Sequence, residues 1–289
     1  MVFAFSQTSQ ILSLSVWHKS LPNFRDAQCC NMTRLRPVKS TQRRLHSTDA
    51  MLCLAASIES KAPKLDASPE VLRLWRSAQA VCFDVDSTLC EDESIDELAD
   101  FLGVGQEVAE MTANAMGGSV KFEDALQMRL AVMNSSHQNI QDFLAAHPPR
   151  ISKGIADLVQ ELQKRQTAVY LVSGGFRAII NPIAEILKIP LENVYANTIL
   201  YDEKGEYVGF DAAEFTSRSG GKPAAIKAIK AEHNYSPLVM VGDGATDLEA
   251  RQPGGADLFI GYGGAVHREN VAAGADWYIY EIQQLLDTL

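Results

Sequence analysis

The chain has 289 residues, of which 46% are apolar, with 19 glycines and 11 prolines, a composition that excludes fibrous and disordered classes. Its formal net charge of −10 argues against a protein that binds nucleic acid through bulk positive charge. The charge is unevenly spread. Residues 1–48 hold seven bases and one acid, a net +6, whereas the other 241 residues hold 19 bases and 35 acids, a net −16.

The first 48 residues have the composition of an organelle transit peptide, because they are basic, poor in acids and contain eleven Ser or Thr. No charged segment precedes the apolar stretch Ile11–Val16, which argues against a secretory signal. A disordered tail that carries no targeting signal has the same composition. We predict a transit peptide over residues 1–60, removed between Ser47 and Ser60, and the composition does not distinguish a plastid from a mitochondrion.

The cysteines do not form the pattern of a disulfide framework. Cys29, Cys30 and Cys53 lie in or beside the predicted leader, which leaves Cys82 and Cys90 and favours a reducing compartment. The chain has no apolar run of about 18 residues, the length that a membrane-spanning helix needs. We therefore expect a soluble mature protein.

The first predicted elements are a helix from Pro69 to Trp75 and a short apolar strand, Ala80–Phe83. A purely helical block follows and ends at Pro148-Pro149. Apolar residues at i, i+3, i+4 and i+7 predict four short helices in it. These helices cover residues 95–102, 108–115, 122–133 and 138–146.

Strands and helices alternate after residue 150, which predicts a parallel sheet covered on both faces. The predicted helices are 155–164, 177–187 and 223–232, and the predicted strands are 169–172, 238–241, 258–260 and 277–279. Two further strands, 198–201 and 207–210, flank a turn and predict a β-hairpin. The expected fold class is α/β: a Rossmann-like, doubly wound core (69–93 and 150–289) with an inserted four-helix cap (94–149) and the hairpin.

Acidic and polar groups follow three of the parallel strands, at the edge where doubly wound sheets bind ligands. The strand-end segments are Asp84-Val85-Asp86-Ser87-Thr88, Ser173-Gly174-Gly175 and Gly242-Asp243-Gly244-Ala245-Thr246-Asp247. A single Asp-x-Asp is weak evidence, and Ser87 or Thr88 is also explained as a helix cap. Four carboxylates converging at one edge instead indicate a hard divalent cation, and all-oxygen ligation favours Mg²⁺.

Two basic residues have two interpretations each. Arg129 lies seven residues after Phe122 on an otherwise apolar helix face, and so needs a partner, which is either a structural ion pair or a ligand. Lys222 is either a solvated surface cation or, because Gly220-Gly221 precede it, a residue beside a closely approaching ligand.

Taken in order, Asp84–Thr88, Ser173, Lys222 and Gly242–Asp247 resemble the four motifs of the haloacid-dehalogenase-like phosphatases. Further stretches resemble the members of that family that act on O-phosphoserine. They are Glu93–Ala99, Ala115–Gly118, Ser173–Phe176 and Thr216–Lys222. The similarity runs from about Pro69 to Leu289, and over it the chain closely resembles the plastid members of plants. Lys121 and Thr246 depart from the pattern, standing where many relatives have proline and asparagine.

The resemblance implies that Asp84 attacks phosphorus and that Asp86 acts as the general acid and base. It implies Mg²⁺ held by Asp84, Asp86 through its carbonyl oxygen, and Asp243, with Asp247 orienting these ligands.

The resemblance also implies a set of substrate-binding residues. Ser173, the Gly174 amide and Lys222 would hold the phosphoryl group, Arg129 the substrate carboxylate and Glu93 its ammonium. Met116, Gly117 and Phe122 would line the pocket, and Gly175 and Thr246 are further substrate-binding residues. Met and Phe at helical spacing are also typical of a core, and Glu93 is also explained as a solvated first-turn acid.

The implied function is Mg²⁺-dependent hydrolysis of O-phospho-L-serine to L-serine and phosphate through an aspartyl-phosphate, the last step of the phosphorylated route to serine. Two alternatives remain at this point: a phosphotransferase that uses phosphoserine as donor, and a non-catalytic receiver-like module phosphorylated on Asp84.

The expected partner is the small-molecule substrate, without nucleic acid or membrane, in a monomer or homodimer. The expected location is the plastid stroma, with the mitochondrion as the alternative.

Overall fold

The structure is a computed structural model, and it describes residues 64–116 and 120–289. The predicted leader, its processing region and Cys29, Cys30 and Cys53 lie outside the described residues. Within the described ranges, no helix has both the length and the apolar character needed to cross a bilayer.

All but one of the strands lie close to where the sequence predicts them. They are β1 (Ala80–Phe83), β2 (Ala168–Phe176), β3 (Val194–Asn197), β4 (Ile199–Tyr201), β5 (Tyr207–Phe210), β6 (Leu238–Gly242), β7 (Leu258–Tyr262) and β8 (Trp277–Ile279). The helices that precede β2 are α1 (Pro69–Arg76), α2 (Ser94–Phe101), α3 (Gly105–Met116), α4 (Phe122–Met133), α5 (His137–Ala146) and α6 (Ile155–Lys164). Those that follow it are α7 (Arg177–Ile186), α8 (Gly221–His233), α9 (Ala245–Leu248), α10 (Glu269–Gly274) and α11 (Gln283–Asp287).

The main sheet has six parallel strands in the order β3-β2-β1-β6-β7-β8, and β4 and β5 form a separate antiparallel hairpin. Strand β1 is interior, with Ala80 opposite Ala168 of β2 and Leu238 of β6. Val81 packs in the hydrophobic cluster on one face of the sheet and Cys82 in the cluster on the other. Helices therefore cover both faces, and the predicted α/β fold class is confirmed.

Helices α2 to α5 are inserted between β1 and α6, and their two connections to the core lie side by side. Cys90 on the entering connection bridges Ile151 on the returning one in antiparallel fashion. The Glu91 N–H donates to the carbonyl of Arg150 at 3.0 Å, and the Arg150 Nε donates to Asp92 at 2.7 Å. The inserted helices are thus joined to the sheet through one short two-stranded ribbon, which we call the hinge ribbon.

A third hydrophobic cluster joins the inserted helices to the rest of the molecule. Leu98, Leu126 and Leu130 of these helices pack with Phe176 at the end of β2 and with Ile199 of the hairpin. Because apolar side chains from both sides share this cluster, the helices lie over the carboxyl edge of the sheet rather than projecting into solvent.

The structure differs from the sequence prediction at two places in the sheet. The edge strand β3 was not predicted, because its few apolar residues lie between Asn193 and Asn197, and Asn and Ala are depleted in strands. Strand β2 is longer than predicted and includes Ser173, Gly174 and Gly175, which were expected to follow the strand. Its pairing with β3 shifts register between Val172 and Phe176, so the strand continues through an irregular segment.

Candidate active site

The turn after β1 separates two carboxylates that are close in sequence. Asp84 lies at the end of β1, and its Oδ1 accepts a hydrogen bond from the Val85 N–H at 2.7 Å. The chain then makes a tight turn, in which the Cys90 N–H bonds to the Val85 carbonyl at 2.8 Å and Ser87 has φ +51°. This turn directs Asp84 and Asp86 to different partners.

Asp84, Asp243 and Asp247 form a buried carboxylate cluster. One carboxylate oxygen from each lies within 4.8 Å of the others. The Lys222 Nζ lies 2.7 Å from Asp84 Oδ2 and 2.7 Å from Asp247 Oδ1. A Cβ atom on Gly242 would collide with the Asp247 carboxyl group, so this strand end accepts only glycine. The ends of the adjacent strands β1 and β6 thus bring three carboxylates together, and helix α8 adds one ammonium.

The chemistry of the carboxylate cluster fits a hard divalent cation. All three groups offer oxygen, and Mg²⁺ in proteins is bound by carboxylate oxygens together with water. Burial raises the pKa of both Asp243 and Asp247, and the negative charge of Asp84 raises it further. A bound cation would relieve this repulsion.

Asp86 lies beside the carboxylate cluster but has other partners. Its Oδ1 accepts a hydrogen bond from the Ser94 N–H at 2.8 Å, and its Oδ2 accepts one from the Ser173 hydroxyl at 3.3 Å. Burial raises the pKa of the Asp86 carboxyl, and the negative charge of Asp84 raises it further. A carboxyl group that favours its protonated form is suited to donate a proton.

Hydrogen bonds from Asn197 and within the segment itself hold the irregular end of β2 in place. The Ser173 hydroxyl accepts a hydrogen bond from the Gly175 N–H at 2.8 Å. The Asn197 side chain donates to the Gly174 carbonyl at 2.7 Å and accepts from the Thr216 hydroxyl at 3.0 Å. A Cβ on Gly175 would lie 3.0 Å from Asp86 Oδ2, so glycine allows this segment to approach the acid closely.

Lys222 lies in the first turn of α8 and is only 9% exposed, so it is not a solvated surface lysine. Burial alone would lower the pKa of its ammonium, but Asp247 and Asp84 outweigh this effect and raise it. The lysine is therefore charged, and it supplies the positive charge within the carboxylate cluster.

We expect Lys222→Met to destabilise the metal-free protein by about 3–5 kcal/mol, because breaking a buried charge pair leaves carboxylates uncompensated. Urea unfolding in the presence of a chelator measures this loss. Lys227→Met, on an exposed turn of the same helix, is the control, and its effect is expected within about 0.5 kcal/mol. Equal stability of the two variants would contradict the role of Lys222 in balancing the cluster.

Two charged site residues come from the inserted helices and the turn before them, and each lies close enough to affect the other's pKa or that of its neighbours. Glu93 accepts a hydrogen bond from the Ser87 hydroxyl at 2.8 Å, and burial, followed by the charge of Asp86, raises its pKa to about 7. Burial lowers the pKa of Arg129, while Asp96 and Glu93 act in the opposite sense. Arg129 makes no ion pair within 4.0 Å among the described residues, so the structural ion pair is not observed there.

The structure shows fewer contacts for the remaining residues that were predicted to bind substrate. The Phe122 ring reaches the Gly174 backbone, lying 3.4 Å from where a Cβ would stand. Thr246 is exposed in the first turn of α9. Met116 ends α3, but its side chain and Gly117 lie outside the described residues.

Arg268 is a site residue that the sequence did not predict. Its Nε donates to Asp243 Oδ2 at 2.9 Å, and its guanidinium lies 3.8 Å from Glu93. It therefore connects the carboxylate cluster to the edge of the inserted helices. Arg268 follows β7, so the strand-end rule that identified the other groups also applies to it.

The fold and the acidic strand ends define a class of hydrolase. The sequence matches the family model described as haloacid dehalogenase-like hydrolase over residues 78–255, and the chain belongs to this family. Its members generally depend on Mg²⁺.

Several relatives of the chain are phosphoserine phosphatases. The chain is 56% identical over 222 residues to the chloroplastic phosphoserine phosphatase of Arabidopsis thaliana, covering 77% of this chain and 75% of that one. It is 50% identical over 220 residues to the phosphoserine phosphatase of Bos taurus, covering 76% and 97%. A phosphoserine phosphatase solved as an analogue of its phospho-aspartyl intermediate superposes with a TM-score of 0.61 at 26% identity, covering 73% and 98%.

Proposed function

We propose that this protein is a Mg²⁺-dependent phosphatase that hydrolyses O-phospho-L-serine to L-serine and phosphate. The observation that carries the proposal is the buried cluster of Asp84, Asp243, Asp247 and Lys222 beneath helices that carry Arg129. The 56% identity to a chloroplastic phosphoserine phosphatase supports it. The phosphotransferase and receiver alternatives are not favoured, because the matching family and relatives are hydrolases and phosphatases.

Catalysis would proceed in two steps on this chain's own side chains. Asp84 attacks phosphorus, forming an aspartyl-phosphate while the ester P–O bond breaks, and Asp86 gives its proton to the leaving serine oxygen. Asp86 then takes a proton from the water that attacks phosphorus, and the acyl-phosphate P–O bond breaks to release phosphate and free Asp84. The raised pKa of Asp86 supports the first role, and its loss of a proton in the first step prepares the second.

Asp84 and Asp243, with the carbonyl oxygen of Asp86, would hold Mg²⁺, which when bound neutralises charge on the phosphoryl oxygens. Asp247 would orient this site, because its two oxygens accept from Lys222 and from the Gly244 N–H.

The two ends of the substrate would be held by different parts of the molecule. Ser173, Gly174 and Lys222 would hold the phosphoryl group on the sheet edge. Arg129 would bind the substrate carboxylate and Glu93 its ammonium, which a simple phosphate ester lacks. Gly175, Met116, Gly117, Phe122 and Thr246 complete the proposed pocket.

The raised pKa of Glu93 gives the metal-free protein a defined pH dependence. The folded-state pKa lies at about 7, above the ordinary 4.5, so the stability from Glu93 is full below pH 4.5 and is lost as pH rises through 7. Because the side chain is 43% exposed, we discount the effect to about 1 kcal/mol, or about 2–4 °C in Tm. We expect wild type, compared with Glu93→Gln, to lose this much Tm between pH 5 and pH 8 in a chelator. A constant difference between the two proteins would contradict the assignment.

A phosphate-release screen tests the proposed activity. Phosphoserine, phosphothreonine, phosphoethanolamine and sugar phosphates are compared with and without Mg²⁺. We expect Mg²⁺-dependent release from phosphoserine above all, with serine as the only co-product. Transfer of phosphate to an added alcohol without free phosphate would instead support the phosphotransferase.

We propose that the protein acts in the plastid stroma. The basic, hydroxyl-rich composition of residues 1–48 supports import into an organelle, and the similarity to a chloroplastic relative supports the plastid over the mitochondrion. Fusing residues 1–60 to a fluorescent reporter tests it, since a cytosolic or mitochondrial signal would contradict the proposal.

A further inference from the structure

The first turn of α4 contacts the core beside the proposed phosphoryl site. The Glu123 Oε2 accepts hydrogen bonds from the Ser219 N–H at 3.2 Å and from the Ser219 hydroxyl at 3.1 Å. Ser219 lies in the loop that enters α8, three residues before Lys222. The contact therefore joins an inserted helix to the start of the helix that carries the lysine.

Other features of the structure favour this contact. The neighbouring Phe122 ring packs near Gly174, so the same turn touches the core at two points. Hydrogen bonds from the Glu123 backbone N–H and then from the Ser219 N–H lower the pKa of the Glu123 carboxyl, which is therefore ionised at neutral pH. The carboxylate also meets the N-terminal end of α8, where a helix favours negative charge.

The contact connects the two helices that hold opposite ends of the proposed substrate. Arg129 lies on α4, six residues after Glu123 and about 9 Å along a rigid helix. Lys222 lies on α8, one turn from Ser219. The positions of Arg129 and Lys222 relative to one another therefore depend on how closely α4 is held against the α8 loop.

We propose that Glu123 is a positioning residue that sets the spacing between the carboxylate-binding Arg129 and the phosphoryl-binding Lys222. This inference rests on the proposed function. A fixed spacing selects substrates whose phosphate and carboxylate are as far apart as in O-phosphoserine, and disfavours an ester that is one methylene longer. Glu123 touches no substrate itself and acts only through the helix that it holds.

Paired variants in the first turn of α4 separate positioning from a general charge effect. Glu123→Ala removes the contact, and Asp124→Ala removes an equal charge from the next residue, which is exposed and makes no side-chain hydrogen bond among the described residues. We expect Glu123→Ala to lower kcat/KM for O-phosphoserine about 3- to 10-fold through KM, because an exposed charge-assisted hydrogen bond is of modest strength. Hydrolysis of p-nitrophenyl phosphate should change less than twofold, since that ester has no carboxylate.

Further measurements make the test independent of folding defects and of the substrate assignment. The Tm of both variants should match wild type, and the preference for O-phosphoserine over O-phosphohomoserine should fall only in Glu123→Ala. Amide hydrogen exchange over residues 216–221 should quicken in Glu123→Ala but not in Asp124→Ala, whatever the enzyme hydrolyses. Ser219→Ala should reproduce part of the loss of kcat/KM seen in Glu123→Ala. The double variant that combines Glu123→Ala with Ser219→Ala should show a smaller loss than the sum of the two single losses in free energy.

Equal kinetic changes in Glu123→Ala and Asp124→Ala would overturn the inference, as would unchanged exchange over residues 216–221. If wild type hydrolyses p-nitrophenyl phosphate but not O-phosphoserine, the proposed function fails, and the exchange measurement still decides whether Glu123 holds α4 to the core.

Discussion

Asp84→Asn is expected to abolish phosphate release from O-phosphoserine, with a loss of at least about 10⁴-fold in kcat. An amide oxygen is a poor nucleophile toward phosphorus, and no second carboxylate occupies the same place. Asp84 is buried at the end of an interior strand, with one oxygen held by the Val85 N–H and the other beside Lys222. Rapid quenching of wild type should also trap an acid-stable, hydroxylamine-sensitive phosphoenzyme that Asp84→Asn lacks.

Asp247→Asn is a matched control, because Asp247 is also buried and bonds to the same lysine. We expect it to lower turnover without preventing formation of the phosphoenzyme. A Tm within a few degrees of wild type would show that Asp84→Asn is folded. Activity of Asp84→Asn within tenfold of wild type would exclude Asp84 as the nucleophile.

Arg129→Ala is expected to lower kcat/KM for O-phosphoserine about 10²- to 10³-fold, the usual cost of leaving a buried substrate charge unpaired. Hydrolysis of p-nitrophenyl phosphate should fall no more than about threefold, because only the amino-acid ester offers a carboxylate. The structure supports a ligand-binding role, since the guanidinium is partly buried but makes no ion pair within 4.0 Å among the described residues.

Arg129→Lys serves as the comparison for charge alone. Lysine retains the positive charge but loses the bidentate geometry, so we expect an intermediate loss on O-phosphoserine. Steady-state kinetics on both substrates measures the three proteins side by side. Equal losses on the two substrates in Arg129→Ala would show that Arg129 supports the structure of α4 instead.

Much of the fold follows from local sequence patterns. The apolar run Ala80–Phe83 predicts an interior strand because a parallel strand is buried on both faces, and the helical periodicity after residue 94 predicts the four inserted helices. The acidic groups after β1 and β6 are predicted to meet because neighbouring parallel strands end at the same edge. The structure brings Asp84 and Asp243 together there.

The features that the sequence did not predict depend on contacts between residues far apart in the chain. Strand β3 has four residues, and its pairing with β2 is visible only in three dimensions. The Glu123–Ser219 contact joins residues 96 apart, and nothing local distinguishes Glu123 from Asp124. Arg268 lies 25 residues from Asp243 in the sequence, and its role depends on the path that the chain takes after β7.

The hinge ribbon bears on how the substrate specificity of such an enzyme is changed. Because Cys90 and Ile151 are directly opposed, the inserted segment leaves and re-enters the core at adjacent points. Residues that cross an antiparallel bridge are only about 5 Å apart, a gap that a short turn closes. The cap is in this sense a removable module. Grafting a different helical segment onto the ribbon would redirect the same acidic centre toward another phosphate ester, while β1 and its partners stay as they are.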